Sequence, residues 1–355
     1  MESIARLMKE LPEGYERDCF EQGAIIRRRG VSNPADLMML SMFHLQNGCS
    51  LIEISEIARI GKLGTMSDVA FMKRFEKCAE WFKVINEKMA SGGLIDYERP
   101  LWMQGRTVVG LDASDVSEKG RSGRIYRLHF ALDLFKMQSL EHVITTSKTG
   151  ESLTNFNLGK NDLVIADRAY ATIKGIKHCC EKGAQYILRL RKNSFTVRDE
   201  RGEKMDLLEV FAHLKGNEYA DFQAYATNSD KATVPIRICA IRKTPDAIVQ
   251  TQKRMRRREN RNQIKISDEA KIFNEFIIVV TNVEESVSAE EILNAYRFRW
   301  QVEIHFKRLK SILDFGELPK RRAGSVVSWL SGKLMIALLI ELVIAKASFS
   351  PEENV

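Results

Sequence analysis

The amino-acid sequence predicts an α/β protein, and three changes of pattern along the chain predict that class. Residues 1 to about 100 carry helical periodicity and many cations. Short β-rich runs begin near residue 105, and helical periodicity returns near residue 286 after a second β-rich stretch. A chain of 355 residues has room for two or three domains, and 44% hydrophobic with 29% charged residues is an ordinary balance for a globular protein. The net charge of +8 favours an acidic partner, of which nucleic acid is the commonest.

Each element follows from local pattern. Leu51, Ile54 and Ala58 recur at helical spacing, GKLG (Gly61–Gly64) interrupts, and Ser67 is placed to cap a second helix carrying Val69, Met72, Lys73, Arg74 and Phe75. Helix, glycine turn and helix with paired cations suits a helix-turn-helix-like DNA contact, and any helical hairpin equally. Arg27, Arg28 and Arg29 add a basic run that a solvated turn would also explain. Ser91–Gly93 and Pro100 mark a linker.

Thr107–Leu111 then reads as a short strand ending in Asp112. Tyr126–Leu134 and Met137–Thr145 read as two more strands joined by a turn near Phe135. Leu163–Ala166 is a short strand ending in Asp167, Ala171–Lys182 a helix, and Gln185–Leu190 a fifth strand. Three strands, a loop and then strand–helix–strand is the order of a ribonuclease-H-like sheet. Phe195–Val197, Asp221–Ala226, Thr233–Ile241 and Phe276–Thr281 make a further β-rich segment, within which Lys253–Arg261 sets six cations in nine residues. That run is either a solvated or disordered basic stretch, or a strip that tracks DNA. The expected architecture is an α/β, ribonuclease-H-like core (101–195 and 286–322) interrupted by a β-rich insertion (196–285). An N-terminal helical domain (1–100) precedes it and an apolar helix (323–355) follows.

Six cysteines form no CxxC pair and no zinc-ligand spacing with the six histidines, so reduced thiols are expected. The start, MESIARLMKELPEGYE, has no apolar h-region. Val326–Ala347 is apolar but broken by Lys333, Glu341 and Lys346, and reads as a buried helix at a domain seam or subunit contact rather than a membrane span. A soluble, intracellular protein without a membrane partner is expected.

YRFRWQVEIHFKRLK, Tyr296–Lys310, is the most informative stretch. On one helix turning about 100° per residue, Tyr296, Arg299, Glu303 and Lys310 fall within an arc of roughly 60°, with Trp300 and Lys307 just beside it. Phe298, Val302, Phe306 and Leu309 occupy a neighbouring apolar arc. A solvated charged face is the plainer explanation; a carboxylate inside a basic stripe also suits a place where metal ions meet a polyanion. Two further acids stand at strand ends, Asp112 after TVVGL and Asp167 after LVIA. Taken singly each is more often a turn or cap residue. Carboxylates suit magnesium or manganese, and three of them around phosphate oxygens suit in-line phosphoryl displacement.

The spacing Tyr296, Arg299, Glu303, Lys310 resembles, position for position, the YREK signature of DDE insertion-sequence transposases of the IS-four type. VVTN (Val279–Asn282), SAEEI before the tyrosine, and RWQVE and FKRLK after it resemble the same family. DAS at Asp112 resembles its DGT motif with Ala113 for glycine, and DRAY at Asp167 its DRGY with Ala169 for glycine. The resemblance runs from the N-terminal helices to Arg322.

It implies cut-and-paste transposition, with Asp112, Asp167 and Glu303 as the catalytic, metal-binding acids and Mg2+ or Mn2+, as two ions, the cofactor. Tyr296, Arg299 and Lys310 would contact DNA phosphates, helped by Trp300, Lys307 and Arg168. Asp115 and Asp162 are expected to be surface or capping residues. The implied partners are double-stranded DNA, as terminal inverted repeats and target, and a second copy of the chain in a homodimer on DNA. A catalytically decayed DNA-binding relative, or a ribonuclease-H-like nuclease without strand transfer, is the alternative.

Overall fold

The computed structural model describes residues 2–46, 48–90, 97–118, 124–216, 218–228, 233–304, 307, 317–318 and 323–349. The chain divides into two compact units. The first comprises Met1–Glu98, Ala113–Thr149 and Ile304–Val355, and the second Arg99–Asp112 and Gly150–Glu303.

The first unit opens with six helices: α1 (Glu2–Met8), α2 (Tyr15–Glu21), α3 (Pro34–Gln46), α4 (Leu51–Ile60), α5 (Asp68–Glu76) and α6 (Ala79–Ala90). A capping box starts α4: Glu53 N donates to Ser50 Oγ, and Ser50 N donates to the Glu53 carboxylate. The helix buries Ile54 and Ala58, as their spacing predicts. Ser67 caps α5, again as expected. At Gly64, with φ +156°, a Cβ would collide with Gly30 O, so the GKLG turn packs backbone to backbone on the arginine turn. The Arg74 side chain locks that turn, donating to the carbonyls of Arg27, Arg29 and Val31 at 2.9–3.1 Å. The sequence offered Arg74 as half of a DNA-contacting pair. Instead its guanidinium is occupied by the protein's own backbone, whereas Arg27, Arg28 and Arg29 are exposed.

Strands β1 (Thr107–Glu118), β2 (Arg124–Asp133) and β3 (Gln138–Thr146) run in the order β3-β2-β1, with β2 and β3 antiparallel. The first unit takes β1 from Ala113 onward. The two-residue β10 (Glu317–Leu318) lies parallel to the end of β1. Phe135 N and Lys136 N both donate to Asp133 Oδ1, and Met137 takes φ 50°, which makes the expected turn near Phe135. The last helix, α13 (Ala323–Phe349), packs on α1, α3, α5 and α6. Gly324–Val343 is long and apolar enough to cross a membrane by length and composition, yet 72% of it is buried inside the protein. It is therefore a buried helix, as its hydropathy predicts, and part of this unit's core. At Gly332 a Cβ would stand 2.5 Å from Leu45 and 3.1 Å from the Phe82 ring, which shows how closely α13 approaches α3 and α6.

The second unit contains β4 (Asp162–Ala166), α7 (Ile173–Lys182), β5 (Gln185–Arg189), β6 (Thr196–Arg198), α8 (Leu207–Phe211), β7 (Tyr219–Thr227), β8 (Thr233–Arg242), α9 (Pro245–Asn262), α10 (Asp268–Phe273), β9 (Phe276–Thr281) and α11 (Ala289–Arg297). A helical segment at 299–304, α12, follows. Its strand order is β1-β4-β5-β9-β8-β7-β6, so β1 is common to both orders. The β1, β4 and β5 strands are parallel, and β9, β8, β7 and β6 continue antiparallel from β5. The strands of the β-rich segment thus extend the core sheet. VVTN makes that join: Thr281 Oγ1 donates to Tyr186 O, Tyr186 N donates to Asn282 Oδ1, and Asn282 Nδ2 donates to Ala184 O. Arg237, 2% exposed, pairs with Asp221 and donates to the carbonyls of Val283, Glu284 and Val287, fixing the turn that leads into α11.

Candidate active site

Two of the three candidate acids are placed by sheet register. The β1–β4 pairing ends at Leu111 opposite Ala166, and the β4–β5 pairing at Ala166 opposite Leu188. Carried one residue on, the same register sets Asp112, Asp167 and Arg189 in a row on neighbouring parallel strands, spaced roughly 4.8 Å strand to strand. Residues two apart share a face, so all three lie over the face of Gly110, Ile165 and Ile187. Asp167 stands just past β4, as expected. Asp112 differs: β1 does not end there but runs on to Glu118, because it keeps pairing with β10 at Ser117 and Glu118 after β4 has stopped. It is a mid-strand residue at the end of one neighbour's ladder.

The third acid comes from the helices after β9. A capping box of Ser288 and Glu291 starts α11, which buries Ile292, Leu293, Ala295 and Tyr296. The single helix expected across Tyr296–Lys310 is interrupted at Phe298, where a turn bonds Phe298 N to Ala295 O and Gln301 N to Phe298 O. Tyr296 accordingly lies in the last turn of α11, and Arg299, Trp300 and Glu303 belong to α12. Val302 is fully buried, as the apolar arc requires, and Trp300 is 60% exposed. Lys307 is exposed and belongs to the first unit. Lys310, Phe306 and Leu309 lie outside the described residues.

The aromatic, cationic and acidic groups then converge. The guanidinium of Arg299 lies 5.7 Å from the Tyr296 ring centroid and that of Arg189 6.0 Å from it. Arg299 Nη2 donates to Glu303 Oε1 at 2.9 Å. Burial works against the charge on Arg299, but Tyr296, the Glu303 hydrogen bond and the Asp167 and Glu303 charges hold its pKa above the usual arginine value. Burial raises the Tyr296 hydroxyl pKa; Asp167 adds to the rise, and Arg299 and Arg189 oppose it. These couplings bring Asp167, Tyr296, Arg189, Arg299 and Glu303 into one electrostatic neighbourhood. Among the described residues Arg299 Nε is buried with no hydrogen-bond partner, a donor open to a ligand. Yet no three carboxylate, histidine or cysteine groups among the described residues stand close enough to share one metal ion. Glu303 is engaged by Arg299 instead.

Arg168 donates to Asn274 Oδ1 at 2.8 Å, a neutral partner. Asp115 is partly exposed and pairs with Arg127 at 2.8 Å. Asp162 accepts from Gly159 N at 2.7 Å and is the capping residue expected. Neither Ala113 nor Ala169 has positive φ, so alanine costs nothing where the family motifs carry glycine. Sequence reasoning missed Arg189. Standing at the end of QYILR, the third parallel strand, it carries the same signal that marks Asp112 and Asp167.

Asp112 and Asp167 thus stand side by side at one end of the parallel strands, and Asp167 shares its electrostatic surroundings with Tyr296, Arg189 and Arg299. Comparison with known proteins gives the particular family. The family model described as "Transposase DDE domain" matches residues 104–339. The putative transposase InsL for insertion sequence element IS186A, from Escherichia coli (strain K12), is 24% identical over 94% of this chain and 91% of its own length. The transposase for insertion sequence element IS421 from Escherichia coli is likewise 24% identical over 94% and 91%. The transposase for IS231B from Bacillus thuringiensis subsp. berliner is 28% identical over 44% of this chain and 36% of its own. The chain belongs to the DDE transposase family, with its ribonuclease-H-like core, and is an enzyme of DNA strand cleavage and transfer that uses divalent metal ions.

Proposed function

We propose that this transposase cuts DNA at the terminal inverted repeats of an insertion sequence and joins it to target DNA, with Asp112, Asp167 and Glu303 as its catalytic acids. The observation that carries the assignment is the register row of Asp112 and Asp167, with Glu303 held one ion pair away by an arginine that also senses Asp167. The donor set fits a hard divalent cation: three carboxylates, with no thiolate or imidazole among them. Two Mg2+ or Mn2+ ions, when bound, supply activation of the attacking oxygen and charge stabilisation of the leaving one.

The chain's own groups do the rest. Asp112 and Asp167 are presented on the rigid sheet. Glu303 would leave Arg299 to complete the set, and the freed guanidinium, beside Tyr296, would hold a DNA phosphate. Trp300, Lys307, Lys310 and Arg168 add phosphate contacts in this reading, and residues 1–100 supply a DNA-binding domain. A homodimer on DNA, in the bacterial cytoplasm at the nucleoid, is the working assembly.

The test is incubation of the purified protein with magnesium or manganese and a labelled duplex carrying the inverted repeat that flanks its gene. Nicks at the repeat boundary are expected. Asp112→Asn, Asp167→Asn and Glu303→Gln should each abolish them while DNA binding is retained. Folded variants that still nick would overturn the residue assignment.

A further inference from the structure

The basic run Lys253–Arg261 lies in α9, an 18-residue helix with no buried residue, which is unusual inside a sheet-extending segment. Its packed side is Ile248, Thr251, Met255 and Glu259, repeating at helical spacing. On the opposite side Lys253, Arg257 and Arg261 repeat every fourth residue as an exposed stripe about 12 Å long, with Arg254 and Arg258 beside it. Among the described residues none of these cations is in an ion pair. The helix's own Glu259 is spent elsewhere, accepting from Ile266 N and pairing with Lys271. A merely soluble helix would intersperse acids with its cations.

An independent observation ties this stripe to the site. Thr251, on α9, accepts from Lys243 Nζ at 3.1 Å. Lys243 Nζ also donates to Asn274 O at 2.5 Å, and Asn274 Oδ1 accepts from Arg168 at 2.8 Å, next to Asp167. The cations Arg168, Arg189 and Arg254 all act on Lys243, so positive charge continues from the strand ends to the helix.

We propose that α9 is a phosphate-binding rail for duplex DNA, continuous through Lys243 and Asn274 with Arg168 beside the catalytic acids. It rests on the reading of this chain as a DNA strand-transfer enzyme and adds a surface that reading does not contain. The rail reads no bases. It holds the backbone of duplex leaving the site, whether element end or target, by charge alone.

The full-length Lys253→Gln/Arg257→Gln/Arg261→Gln variant tests this by titration with a repeat-bearing duplex and with one lacking the repeat, across a salt series. Its circular dichroism and Tm should match the parent, since all three positions are exposed. The slope of log Kd against log salt should become shallower by roughly 2 to 3 on at least one duplex, about 0.9 for each phosphate no longer neutralised. A loss on the repeat duplex assigns the rail to element ends, and a loss on the other assigns it to target DNA. The Arg257→Lys/Arg261→Lys control should keep the parent slope. An unchanged slope on both duplexes, or an equal loss in the lysine control, overturns the rail. Nicking by the parent is read separately: slope lost without any nicking would uphold the rail and refute the catalytic reading, and nicking with slope unchanged the reverse.

Discussion

Lys243 is a half-buried ammonium surrounded by like charge. Burial first, then Arg189, Arg168 and Arg254, push its pKa down to about 8 against the pull of Glu275. In the unfolded chain the ordinary lysine value near 10.5 applies, so between pH 8 and about 10.5 the unfolded state binds more protons. Stability should therefore gain from this residue as pH rises through that window and be insensitive to it below. Urea unfolding of Lys243→Met against the parent at pH 7 and pH 9.5 checks this; a parent whose relative stability does not rise would refute it. Arg74 makes a second prediction at this scale. Losing its three bonds to backbone carbonyls in Arg74→Ala should cost about 1–3 kcal/mol, and Arg74→Lys should recover little, because an ammonium cannot span that fork. Charge was legible in the sequence at both positions. Most partners were not, since Asn274 for Lys243 and the turn at 27–31 for Arg74 lie more than thirty residues away along the chain.

Elements were more legible than partners. The cap at Ser67 announced itself because a cap and its third residue are close in sequence; Ser50 and Ser288 cap by the same local rule and went unread. What failed were features set by neighbouring strands: β1 outruns Asp112 because β10 extends its ladder, and two residues give no pattern to read. The break at Phe298 was hidden for a related reason. Its backbone stays right-handed and helical, so the side-chain spacing looks uninterrupted. Arg237 shows what links elements here. Arg237→Met would leave Asp221 and three carbonyls of 283–287 without their donor, and should cost about 3 kcal/mol, the low end for a buried pair because Asp221 is partly exposed. Denaturant melts would read the loss. Weakened DNA binding alongside it would follow from loosening the start of α11, and a cost below about 1 kcal/mol would rule out the clamp.

At the scale of the molecule, the fold class followed from the order of strands and helices. Hydropathy marked the terminal helix as buried but not its partners, because an all-round apolar helix looks alike whatever it packs on. A chain ending at residue 322 lacks α13, the element on which α1, α3, α5 and α6 pack. It should lose the cooperative melting of the first unit and bind a hydrophobic dye at low temperature. A cooperative, dye-free melt equal to the parent's would show that α13 is dispensable.

The grip of Arg74 on the turn before it has a consequence for how such a protein changes over generations. Every bond it makes there is to main-chain oxygen, which all residue types possess. The shape of the turn is therefore indifferent to which side chains it displays, and positions 27, 28 and 29 can drift without loosening the fold. A mobile element's enzyme gains from such a place, where the displayed side chains can vary while architecture is inherited intact.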